Sequence, residues 1–265
     1  MKSIVEFSTP EDIRKIREST PWTSTRKASY NDSLLLPAYA ERKLRFPVGK
    51  SSIRIVPSIK PSAFDWMIGV QALNYPGGRH THPRTIEAGK SVFDHAFAWF
   101  KANKPEALFS RANLDGYRLL ADPVSVFACL VEIDNKVTIR YFVGSAYDGS
   151  RGGVPGLGCQ IYKMVKDIAE EANPLANPAD PEEGVMICVE KLQPAGAKYA
   201  SYSLRLGSHP TPISKLISQM TEEEVSALCP LENTIRILSE DEEFERLEKI
   251  GINSDTIAAI RASVH

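Results

Sequence analysis

Apolar and polar positions alternate along much of the chain with two different periods, and these periods divide it into elements. From Ser52 to Ile59, Ile53 and Ile55 fall on one side of an extended chain and Arg54 on the other, as in a half-buried strand. Phe64–Leu73 is a second such run. Val124–Ile133 and Lys136–Val143 follow, joined by Asp134-Asn135 as a two-residue turn. In the latter run Val137, Ile139 and Tyr141 share one face, and Thr138, Arg140 and Phe142 the other. Val185–Lys191 and Lys198–Leu206 form a last hairpin, with Tyr199, Ser201, Ser203 and Arg205 opposite Ala200, Tyr202, Leu204 and Leu206. Tyr202 therefore points to the core.

Helical spacing appears between these runs. Thr9-Pro10-Glu11-Asp12 reads as a capped helix start, and that helix stops by Pro21. Residues 91–103 place Phe93, Ala96, Phe97 and Phe100 on one face, and Pro105–Phe109 reads as a short helix. Leu157, Ile161, Val165 and Ile168 define a helix to about Ala172. From Pro210 onward the chain reads as helical, with a cap at Thr221–Glu224 and a helix from near Ser254. Tyr75–Arg84, Gly144–Gly158 and residues 173–183 read as loops. Six strands, mostly in hairpins, with one helix between the fourth and fifth, predict a mainly β chain with α insertions (α+β). The expected architecture is an OB-type Greek-key β-barrel with a helical insertion and a helical acidic C-terminal segment.

Composition sharpens this picture. With 265 residues, 43% hydrophobic and 25% charged, the chain suits a globular protein with a sizeable core. No uncharged apolar run approaches the ~18–20 residues that span a bilayer. Glu6 arrives before any apolar stretch forms, so no signal peptide and a cytoplasmic setting are expected. Cys129, Cys159, Cys188 and Cys229 are far apart and read as free thiols. The formal charge of −1 hides an asymmetry: residues 211–265 carry net −6, leaving +5 for the rest. Three parts follow: an N-terminal helix and basic arm (1–44), a core (45–210) and an acidic helical segment (211–265). Between Pro21 and Lys60, Arg26, Lys27, Arg42, Lys43, Arg45, Lys50, Arg54 and Lys60 face only Asp32 and Glu41. Such a stretch tracks a polyanion backbone or is a solvated arm packed on the domain.

Motifs for chemistry are sparse. His80 and His82 form too small a set for a structural zinc site, and no Cys-x-x-Cys occurs. The glycine-rich Gly144–Gly158 segment lacks the lysine of a phosphate-gripping loop. Asp65, Asp115, Glu132, Asp134 and Asp148 have no diagnostic spacing, although two of them close together would hold a metal for phosphodiester cleavage. No cofactor is expected, and no enzyme is called for. What does recur is a tyrosine beside a cation: Tyr75 with Arg79 and Arg84, Tyr117 with Arg118, Tyr141 with Arg140, Tyr147 with Arg151, and Tyr199 with Lys198. A ring for each base and a cation for each phosphate is what an unpaired strand requires.

Phe46-Pro47-Val48-Gly49-Lys50-Ser51-Ser52-Ile53-Arg54-Ile55-Val56-Pro57 resembles the opening of the OB domain in tailed-phage single-stranded DNA-binding (helix-destabilising) proteins. The order that follows is also similar: a Trp66-bearing strand, a helical insertion, Asp115-Gly116-Tyr117-Arg118, the Tyr147–Gly158 loop, the Gly184–Lys191 strand and a closing Tyr199–Tyr202 strand. The likeness covers roughly residues 45–206. Unlike the best-known members, this chain lacks the cysteines of a zinc subdomain, so no metal is implied. The resemblance implies a non-catalytic protein that coats single-stranded DNA in replication, recombination or repair, located in the host cytoplasm if phage-encoded. Arg54, Lys60, Arg140 and Arg205 would line its groove, with Tyr75, Tyr117, Tyr147, Tyr199 and Trp66 as stacking faces. The acidic segment would compete for that groove or recruit replication or recombination proteins. A metal-dependent nuclease and an acidic interaction scaffold are the alternatives.

Overall fold

The computed structural model describes residues 6–7, 34–75, 78–81, 91–108, 119, 122–150, 153–170, 177–196 and 200–264. The helix expected from Thr9 and most of the basic arm lie outside them. The strands are β1 (Gly49–Ile55), β2 (Met67–Tyr75), β3 (Gly78–Thr81), β4 (Asp122–Ile133), β5 (Lys136–Ser145), β6 (Val185–Leu192) and β7 (Ser201–Pro210). The helices are α1 (Pro37–Ala40), α2 (Val92–Asn103), α3 (Leu157–Glu170), α4 (Ile213–Ile217), α5 (Glu222–Ser226), α6 (Glu240–Lys249) and α7 (Ser254–Val264). Single 3-10 turns span Pro105–Leu108 and Leu231–Thr234. No helix among the described residues is long and apolar enough to cross a membrane.

Strand β4 organises the sheet. It is apolar almost throughout, and residues 123–131 are buried. A run apolar on both sides suits a strand with a core against each face. One edge of β4 pairs with β5 along its whole length, from Val124↔Ser145 to Ile133↔Lys136. Asp134 and Asn135 make that turn with φ of 49° and 59°. Two successive left-handed residues match the twist of the flanking strands, and Asp and Asn tolerate that conformation best after glycine. The other edge of β4 is shared end to end. β2 takes its first half, Met67↔Phe127 to Ala72↔Asp122, and β1 its second, at Arg54↔Leu130 and Ile55↔Cys129. β1 also pairs with β6, and β6 with β7, all antiparallel.

The result is an α+β protein with an open, mostly antiparallel sheet in the order β3-β2-β4-β1-β6-β7, β5 lying beside β4. The expected barrel closure is absent among the described strands, because β5 and β7 do not pair. A segment from before β1 occupies that margin instead. Leu44 N donates to Tyr141 O, and Tyr141 N to Arg42 O, both at 2.8 Å, giving a parallel bridge at Lys43↔Tyr141. The ring of Phe46 then stands between Phe142 of β5 and Tyr202 of β7, 6.4 Å from each. One strand lies where the sequence predicts a loop: pairing resumes at Gly78, so residues 78–81 form β3 against β2. The Pro and Gly residues of Tyr75–Arg84 signal a loop in the sequence, yet Tyr75 pairs with Gly78 and Ala72 with Thr81.

Both faces of the sheet are covered. On one, Ile68, Val70, Val126, Leu130, Ile139 and Tyr141 meet Leu34, Leu35, Ile213, Met220, Val225, Leu231 and Ile235. On the other, Ile53, Ile55, Phe127, Cys129, Phe142, Ile187 and Val189 meet Leu157, Ile161 and Val165 of α3. A third cluster packs Val92, Phe93, Ala96 and Phe100 of α2 against Phe244 and Leu247 of α6 and Ile257 and Ile260 of α7. The acidic segment is therefore docked along its length. Its apolar residues finish two of the three cores, while Glu224, Glu232 and Glu243 turn inward to hydrogen-bond partners elsewhere in the chain. All four cysteines are free; Cys129 and Cys159 are buried, Cys188 and Cys229 half-buried.

Candidate nucleic-acid interface

Three residues expected to meet a ligand are sealed inside the protein. Arg54 is fully buried. Alternation does place it opposite Ile53 and Ile55, but loop residues 178–181 and Thr211 close over that face. Its Nε donates to Thr211 O at 2.8 Å and its Nη1 to Ile55 O at 2.9 Å, and the guanidinium also reaches the carbonyls of Pro178, Asp180 and Pro181. Burial pushes its pKa down to about 10, against Asp180 and Glu182, which pull the other way, so it stays charged at neutral pH. Gly184 leaves the space this requires, since any side chain there would run into the guanidinium. Trp66 is 3% exposed, stacked on Tyr162 and edge-on to Phe127. Tyr147 is 4% exposed, and Gly156 N donates to its carbonyl at 2.8 Å. Neither ring has an open face for a base.

The remaining expected residues divide. Lys60 and Arg205 are exposed, Lys60 just after β1 and Arg205 on β7 across from Cys188. Tyr75 and Arg79 lie on the β2–β3 hairpin, where only the backbone is described. Arg84, Tyr117, Arg118, Arg151, Lys198 and Tyr199 lie outside the described residues. Arg140 lines a cavity.

That cavity is a cleft of about 400 Å³ lined by Ala40, Glu41, Lys43, Leu44, Arg45, Ile133 and Arg140. Its geometry follows from how the chain enters β1. Tyr39 packs edge-on against Tyr141 at 5.4 Å, which anchors α1 over β5. Arg42 then turns away: its Nη1 lies 2.6 Å from Glu224 Oε1, and the other Glu224 oxygen accepts from Ile139 N at 2.8 Å. Arg42 is thus committed to holding α5, while Lys43 and Arg45 line the cleft. Arg140 is half-buried, one Nη donating to Ile139 O at 2.8 Å. Tyr39 is pushed up to about 12 by its hydrogen bond with Cys229 and by burial, and burial raises Tyr141 as well, so both stay neutral beside these cations.

The cleft sits at one end of the sheet. There β4 ends and β5 begins at the Asp134-Asn135 turn, β1 begins at Gly49, and β6 ends at Leu192 opposite Ser201. Three large apolar side chains are exposed at this end: Ile133 (42%), Val48 (65%) and Leu192 (49%). Lys50 is exposed beside them, and Lys191 donates from Nζ to Phe46 O at 3.2 Å. This end combines cations with bare aliphatic surface, a pairing that meets both the charge and the flat apolar face of a nucleotide. The basic stretch carrying Lys43 and Arg45 is legible in the sequence, although of the cleft residues only Arg140 is among the expected site residues. Ile133 reads there only as the end of a strand, because one apolar residue beside a turn gives no signal of a site. Among the described residues, no group of three or more His, Cys, Asp or Glu side chains is placed to hold a metal ion. The chain matches no protein-family model, no curated protein and no solved structure.

Proposed function

We propose that this protein binds single-stranded nucleic acid, DNA foremost, along the basic end of its sheet, and coats exposed strands in replication, recombination or repair. The observation that carries the reading is the cleft lined by Lys43, Arg45 and Arg140 together with Leu44 and Ile133, at the end of the sheet where Val48 and Leu192 are exposed. Cations neutralise phosphates while the aliphatic side chains cover base faces.

The connectivity supports an OB-type reading of the sheet. With the β2–β3 hairpin and α2 treated as an insertion, β1 pairs with β4, β4 with β5, α3 follows, and β6 pairs with β1 and β7. OB barrels are partly open Greek keys that bind oligonucleotides on their second and third strands and adjoining loops. Those two strands correspond here to β4 and β5, whose connecting turn borders the cleft.

Fluorescence-anisotropy titration with labelled oligo-thymidine tests the proposal. Binding is expected to be far stronger to the single strand than to a duplex of equal length, with log K falling about 0.7 per phosphate neutralised for each tenfold rise in salt. The double variant K43Q/R45Q should weaken binding and lower that salt slope by roughly 0.7 to 1.4. Equal affinity for the duplex, or a slope unchanged in the variant, rejects the reading.

A further inference from the structure

The cleft contains a carboxylate among its cations, and we propose that Glu41 makes it selective for bases that present hydrogen-bond donors, guanine above all, over thymine and uracil. This inference rests on the nucleic-acid reading of the same cleft. Glu41 follows the last residue of α1 and is exposed on the cleft wall. Arg42, its neighbour, is engaged by Glu223 and Glu224. Among the described residues no ion pair or hydrogen bond involves the Glu41 carboxylate, although Lys43, Arg45 and Arg140 line the same cavity.

A carboxylate beside phosphate-binding cations repels the phosphate they attract. It becomes favourable only where a donor on the ligand meets it. Guanine offers N1–H and N2–H side by side, spaced for the two oxygens of one carboxylate. Cytosine and adenine each offer one amino group. The N3–H of thymine and uracil is flanked by two carbonyls, which a carboxylate repels. Single-strand recognition reads these same Watson–Crick edges, because unpaired bases leave them open. A volume of about 400 Å³ admits one nucleotide rather than a stacked row. Leu44 and Ile133 cover the base face while the cations take its phosphate and Glu41 its edge.

Competition titrations against labelled oligo-thymidine test this. One competitor is oligo-thymidine; the other, of equal length, carries guanine at every third position so that quadruplexes do not form. The parent protein is expected to bind the guanine-bearing strand about tenfold more tightly, the low end of discrimination by a bidentate side chain–base pair. E41Q should bring the ratio close to one and tighten binding to the thymine strand. E41D, which keeps the charge but withdraws the oxygens, should also lower the ratio. K43Q/R45Q should weaken both strands alike and preserve it. Equal binding of both strands by the parent, or a ratio unchanged in E41Q and E41D, overturns the selectivity while leaving the nucleic-acid reading intact. Absence of binding to any strand at low salt overturns both.

Discussion

At the level of single residues, Arg54 shows how far a charge can be misplaced by alternation alone. Its side of β1 is correctly read from Ile53 and Ile55, yet its fate depends on residues 178–181 and 211, more than 120 positions away. No local pattern announces a loop that folds back to offer its carbonyls. The same holds for Trp66 and Tyr147, whose partners Tyr162 and Gly156 come from α3 and the turn before it. Arg42, Lys43 and Arg45 were legible as a basic stretch, but their division into one structural and two cleft-lining cations depends on Glu224. Since Arg54 donates to five carbonyls, Arg54→Leu leaves a cluster of buried acceptors unsatisfied. Hydrogen bonds from a charged donor contribute about 1.5–3 kcal/mol each, so a loss of about 3 kcal/mol or more is expected. The urea midpoint measures it; a change below ~1 kcal/mol contradicts the structural role given to this residue.

Among the elements, those with strong local signals formed where expected. The β4–β5 hairpin, α3 and the helix at residues 92–103 all follow from periodicity and turn chemistry, and Ser91 caps α2 by accepting from Phe93 N at 3.1 Å. Less legible was a second cap from far along the chain. Glu243 of α6, 2% exposed, accepts from Val92 N at 2.6 Å and from the Ser91 hydroxyl at 3.0 Å. Burial raises its pKa from 4.5 to about 7, opposed by hydrogen bonds from Ser91 and the backbone, with Asp94 adding to the rise. A raised carboxyl pKa means that the folded state holds a proton the unfolded chain releases. Stability from this group is complete below about pH 4.5 and is lost as the pH rises through about 7. The contact of α2 with α6 and α7 should therefore tighten from pH 8 to pH 5.5, by about 2 kcal/mol at most. Glu243→Gln should remove that part of the pH dependence. Urea midpoints of parent and variant at the two pH values decide it; an identical pH dependence in both shows that Glu243 does not titrate in this range.

For the molecule as a whole, the resemblance implies an acidic segment that competes for the groove or recruits partners; the structure makes that segment a structural member as well. Carboxylates and core residues alternate along it: Glu224 with Val225, Glu232 with Leu231, Glu243 with Phe244. Glu232 accepts from the Ser62 hydroxyl at 2.7 Å and Ala63 N at 3.1 Å, tying it to the turn after β1. Deleting residues 221–265 strips Val225, Leu228, Leu231 and Ile235 from one face of the sheet and all of α6 and α7 from α2. Each large apolar side chain contributes about 1.5–3 kcal/mol when buried, so the shortened chain should lose its cooperative thermal transition. A sharp melt by circular dichroism near that of the intact protein would show the segment to be dispensable. The clamp on β5 also bears on synthesis. The hairpin is complete at residue 145, but Ile139 N keeps no partner until Glu224 leaves the ribosome, 79 residues later. At 5–20 residues per second the nascent chain carries an unsealed strand margin for roughly 4 to 16 seconds. Protection of that margin during translation then falls to the Arg42–Leu44 segment, which emerges before the hairpin it shields.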